Sequence, residues 1–145
     1  MKKMIDLRVK LTSENWYQGH LIDIRRQNER ILVIIEMGKT GLKKENLDLW
    51  LGILLHEIGH AIYFLVQKDW EYFVIKAKLR RFSDEETFNQ EVFAWKFSLL
   101  CLNSLRNLGL AIIGLFAYKN YFRGCPLSWS RIYDMLKRVE KLPFK

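Results

Sequence analysis

Two histidines set one helical turn apart inside an apolar stretch constrain this chain more than any other feature. Leu47, Trp50, Leu51, Leu54, Leu55, Ile58 and Ile62 recur at helical spacing, and His56 and His60 fall within that run. The pattern predicts a helix over about Lys43 to Val66. Residues four apart in a helix share a face, so both imidazoles project the same way. Glu57 follows the first histidine and completes the string His56-Glu57-Ile58-Gly59-His60. Burying two imidazoles and a carboxylate in such a helix is costly unless something satisfies them. Gly59 adds a second cost, because glycine weakens a helix interior by about 1 kcal/mol relative to alanine. It therefore needs a packing reason.

A zinc ion answers the first demand. Two imidazoles at this spacing can bind one ion together, and the intervening glutamate then lies beside the metal rather than on it. Zinc lowers the pKa of a water held there toward neutrality, and Glu57 is placed to take its proton as general base. His56 and His60 are thus candidate ligands, and Glu57 is the candidate catalytic residue. The motif uses two of the three histidines in the chain.

A catalytic zinc also wants a third protein ligand and an open position. One zincin pattern has a histidine six residues after the second motif histidine, where this chain has Val66; another has it at five, where Leu65 stands. A cysteine ligand upstream is ruled out, because Cys101 and Cys125 both lie downstream. A carboxylate remains. Ser83-Asp84-Glu85-Glu86 reads as a capping box opening a helix from Asp84 to about Leu102. Its acidic residues suit the first turn, where they favour the helix dipole. Glu91 differs: it lies inside the helix beside Val92, Phe93, Ala94 and Trp95, with Ala94, Trp95 and Ser98 on its face. A small residue one turn on lets two helices approach closely. Glu91 is the expected third ligand, Glu71 is a reserve, and His20 is a weaker candidate.

The remaining segments suggest an α+β fold with a small N-terminal antiparallel sheet followed by about four helices, including the one that carries the histidines. Met4 to Leu11 and His20 to Arg26 read as strands through their alternation, and Arg30 to Met37 through its β-branched residues. Gln27-Asn28-Glu29 suggests a hairpin turn. Gln67 to Phe82 is open between a strand and a helical turn. Further helices are expected over Ser104 to Phe122 and from about Pro126 to Leu142.

The 145 residues, half of them apolar, suit one domain over residues 1–145 with a real core. The net charge of +8 is scattered in short clusters such as Arg25-Arg26 and Arg80-Arg81, and no nucleic-acid signature accompanies it. Nucleic acid is not an expected direct ligand. Met1 to Leu11 has no apolar core of an export signal, and Phe97 to Tyr118 is interrupted by Asn103, Ser104, Arg106 and Asn107. No transmembrane segment is expected. Cys101 sits in an apolar run and is expected to be a buried thiol. Two cysteines make no disulfide framework, so a reducing, cytoplasmic compartment is expected.

With these motifs in place, the chain resembles the ImmA/IrrE-type metallopeptidases, gluzincins of bacteria, phages and mobile elements. The resemblance rests on His56-Glu57-Ile58-Gly59-His60-Ala61 after a strand and an amphipathic lead-in, then Glu91-Val92-Phe93-Ala94-Trp95 on a later helix. It covers about Ile31 to Leu102. Many relatives show Glu-Ala-Asn at the second motif, whereas the Ala-Trp ending here is similar to phage-type relatives. The resemblance implies a minimal zincin-like domain, zinc on His56, His60 and Glu91, and Glu57 as base. It also implies a protein substrate, for which a helix-turn-helix repressor is one expectation. The expected activity is that of a zinc metalloendopeptidase. The alternative is a zinc-containing regulatory or protein-binding module with little or no turnover. An oxyanion donor is open among Tyr118, Tyr121, Arg123 and Tyr133.

Overall fold

The computed structural model describes residues 4–12, 19–38 and 47–102. Three strands come first: β1 (Met4–Thr12), β2 (Gly19–Gln27) and β3 (Arg30–Gly38). Three helices follow: α1 (Leu47–Leu65), α2 (Trp70–Lys78) and α3 (Asp84–Leu102). The class is α+β. The helices expected over 104–122 and 126–142, and the four candidate oxyanion donors, lie outside the described residues.

The sheet departs from the expectation of a purely antiparallel arrangement. Its order is β1-β3-β2; β2 pairs antiparallel with β3, and β1 pairs parallel with it. The reason is apolar content. Ile31 to Ile35 and Met37 are all nearly inaccessible, so β3 is buried on both faces and takes the centre. The more charged β1 and β2 take the edges. β1 lies on the far side of β3 from β2 and runs parallel to β3. Asn28 turns the hairpin with φ 59°, a left-handed conformation that asparagine tolerates better than most residues.

The strand β2, read as alternating, contains an irregularity. Leu21 pairs with Ile35, but Asp23 pairs with Ile34, so Ile22 is an extra residue. This bulge resets the alternation. Leu21 and Ile24 both pack on the core, whereas Ile22 is exposed.

The core joins the sheet to α1 and α2 through Ile31, Val33 and Ile35 against Ile53, Phe64 and Trp70. Helix α1 packs on β2 and β3 and also on α3. From Trp50 to Leu65 none of its residues is exposed. The Trp50 indole N–H donates to the Gly38 carbonyl at 3.1 Å and ties α1 to the end of β3. The segment left open between strand and helix forms α2. It stops in a Schellman arrangement, with Arg80 at φ 53° and the Arg81 amide donating to the Lys76 carbonyl at 3.1 Å.

Helix α3 begins with the expected capping box. The Glu86 amide donates to Ser83 Oγ at 3.1 Å, and the Ser83 amide donates to Glu86 Oε1 at 3.4 Å. Cys101 corrects another expectation: it lies in the last turn of α3, one turn beyond the deepest α1 contact at Ser98, and is exposed. No helix among the described residues is long and apolar enough to cross a membrane.

Candidate metal centre

The site is built where α1 and α3 come closest. A Cβ on Gly59 would lie 2.8 Å from Ala94 Cα and 3.0 Å from the Ala94 carbonyl oxygen. No side chain fits there, which is the packing reason for a glycine inside α1. One turn further along, the fully buried Ser98 hydroxyl donates to the Gly52 carbonyl at 2.8 Å. Between these two contacts Trp95 lies against the His56 ring, with centroids 3.9 Å apart.

This approach brings all four candidate residues together. His56 Nε2 and His60 Nε2 are 3.1 Å apart. Glu91 Oε2 lies 3.1 Å from His56 Nε2, and Glu91 Oε1 lies 3.1 Å from His60 Nε2. Glu57 stands beside this triangle, with Oε1 4.0 Å from His56 Nε2. His56, Glu57 and His60 form a cluster whose donor atoms lie within 4.8 Å of one another, close enough to hold a metal ion. Glu91 is nearer still to both rings. The reserve candidate Glu71 is elsewhere, paired with Arg26 at 2.6 Å on an exposed surface.

With Glu91 ionised, protons leave one contact unmatched: two Nε2–H groups donating to Glu91 face each other at 3.1 Å, and a single one leaves the other Nε2 lone pair against a carboxylate oxygen. A cation between the two ring nitrogens and the carboxylate would satisfy these lone pairs together. The donor set of two imidazoles and one carboxylate suits zinc chemically. His56 Nδ1 is buried with no hydrogen-bond partner among the described residues, so packing against Trp95 holds this ring.

Among the protein groups alone, the two carboxylates are driven apart electrostatically. Burial would raise the Glu91 pKa, but the adjacent His60 charge and hydrogen bonds from both rings outweigh it and hold Glu91 well below the usual carboxylate range. Burial pushes Glu57 up to about 7, with the Glu91 charge adding to the rise and His60 and the Leu21 amide opposing it. Burial lowers His56. It also disfavours charge on His60, but Glu91 more than compensates and raises that pKa. One buried carboxylate thus stays anionic, and its neighbour is poised near neutrality, a division suited to a ligand and a proton carrier.

Sequence reasoning missed the partner of Glu57. The backbone N–H of Leu21, on edge strand β2, donates to Glu57 Oε2 at 2.9 Å. The only trace in the sequence is the broken alternation at Leu21-Ile22. An open cleft of about 270 Å³ leads to the site, lined by His20, Leu21, Glu57, His60, Phe64 and Glu91. All three histidines of the chain therefore border or form one site, although His20 is not in the donor triangle. Comparison with protein-family models, curated proteins and solved structures finds no match for this chain.

Proposed function

We propose that this chain is a zinc-dependent metallopeptidase of the gluzincin type, in which His56, His60 and Glu91 hold the ion and Glu57 is the general base. The observation that carries the reading is the convergence of His56 Nε2, His60 Nε2 and the Glu91 carboxylate, in which each ring nitrogen lies 3.1 Å from the other and from a carboxylate oxygen. The resemblance of His56-Glu57-Ile58-Gly59-His60 and Glu91-Val92-Phe93-Ala94-Trp95 to the ImmA/IrrE-type enzymes points the same way.

Zinc, when bound, supplies a Lewis acid that polarises the scissile carbonyl and acidifies water. The chain does the rest. Glu57 accepts the proton of the attacking water and returns it to the departing amine. Its Oε1 is the oxygen that carries the proton, because Oε2 is engaged by the Leu21 amide. The open cleft beside His20 and Leu21 gives access to the site, and the resemblance suggests a protein substrate. A helix-turn-helix repressor is the partner suggested by the resemblance.

The test is zinc content together with cleavage of proteins encoded beside the gene. Glu57→Gln keeps the metal and abolishes cleavage. Cleavage that survives this change contradicts the assignment of Glu57. Binding of a partner without cleavage, unaffected by Glu57→Gln, points instead to a regulatory module.

A further inference from the structure

Two carboxylates lie beside the same pair of histidines, and both are within reach of one ion. Glu91 touches both rings at 3.1 Å, and Glu57 Oε1 comes within 4.0 Å of His56 Nε2. Position on α1 already turns Glu57 aside from the face that His56 and His60 share, yet its carboxylate stays close to the His56 ring. What else holds each carboxylate adds a second constraint. Glu57 Oε2 accepts a hydrogen bond from the Leu21 amide of β2 at 2.9 Å.

We propose that the Leu21 backbone amide is a positioning group that keeps Glu57 off the metal and so keeps one coordination position open. The inference rests on the metal site argued above. Two further features of β2 serve the same contact. A Cβ on Gly19 would lie 2.6 Å from Met37 Sδ, 3.0 Å from Ile53 Cγ2 and 3.2 Å from Glu57 Cγ, so a larger residue would crowd the side chains around Glu57. The extra residue Ile22 follows Leu21 directly, and a bulge of this kind re-aims the backbone groups beside it. Without the amide, Glu57 has a short swing to the ion, where it would compete for the position that substrate needs.

Cobalt(II) and azide test this without any substrate. The cobalt-loaded wild-type protein has a visible spectrum that azide shifts by entering the open position. Leu21→Pro removes the N–H, and Leu21→Ala keeps it. A second form of the deletion, a backbone ester at position 21, removes only the N–H and serves if the proline variant does not fold. Azide affinity is expected to fall about tenfold or more in the proline or ester variant, the worth of one hydrogen bond to a charged group. Leu21→Ala, which keeps the N–H, controls for loss of the side chain, and the fall in the proline or ester variant is expected to exceed any change seen in it. Adding Glu57→Gln to the N–H-less variant should restore azide binding, because the neutral amide competes poorly for cobalt. Wild-type azide affinity in a folded, cobalt-loaded protein lacking the N–H overturns the proposal and leaves the metal site standing. Failure of the wild-type protein to bind cobalt overturns both.

Discussion

Gly59 and Ala94 set the separation of the two helices that carry the candidate metal-site residues. The ideal Cβ position on Gly59 is only 2.8 Å from Ala94 Cα, on backbone that cannot move aside without shifting the helix. Gly59→Ala therefore forces α1 and α3 apart. Alanine regains about 1 kcal/mol of helix propensity, but overpacking costs typically ~1–3 kcal/mol, so the fold is destabilised or near neutral. The larger effect falls on the site, because Glu91 alone comes from α3. Zinc affinity should drop at least about tenfold, as it does when the supporting shell of a metal site is disturbed. Competition titration against a chromophoric chelator reads this directly; wild-type affinity in the variant would show that the helix separation does not set the site.

Arg80 closes α2 with φ 53°, where glycine is ordinarily found. A side chain in this region costs roughly 1 kcal/mol. Arg80→Gly should raise stability by up to about that amount, since the residue lies at the helix end and keeps the Schellman bonds. The midpoint of urea unfolding checks the sign. A lower midpoint means that the arginine side chain contributes more than its backbone strain costs.

Ser83 caps α3, and its loss removes a hydrogen bond to the Glu86 amide. Ser83→Ala should cost about 1 kcal/mol. The reciprocal half of the box is pH-sensitive. Hydrogen bonds from the Ser83 amide and hydroxyl lower the Glu86 pKa below its unfolded value. That contribution is therefore present above the ordinary carboxylate range and is lost as pH falls through the folded-state value. The stability gap between wild type and Ser83→Ala should narrow on acidification over that range. A gap that widens in acid contradicts the reciprocal arrangement.

The helices were legible because their signals are local. The spacing of apolar residues marks α1, and Ser83 with Glu86 marks the start of α3. The need for a small residue near Glu91 and for a reason behind Gly59 were both readable, and the structure makes them two sides of one contact. Three things were hidden because they depend on distant partners. The central place of β3, and with it the pairing of β1 to β3, follows from competition among strands for the centre, which β3 wins by burial on both faces. The α2 helix ends on Arg80, so the glycine that usually marks such a stop is missing. The bond from Leu21 to Glu57 comes from a backbone amide, which no side-chain pattern encodes.

The central claim is a zinc site in which one carboxylate binds and the other works. Zinc content and proteolysis, measured side by side on purified wild type, His60→Ala, Glu91→Ala and Glu57→Gln, test it most directly. The account predicts one zinc per wild-type chain, markedly reduced zinc in His60→Ala and Glu91→Ala, and full zinc without cleavage in Glu57→Gln. Full zinc in Glu91→Ala, or a wild-type chain that binds none, would contradict it.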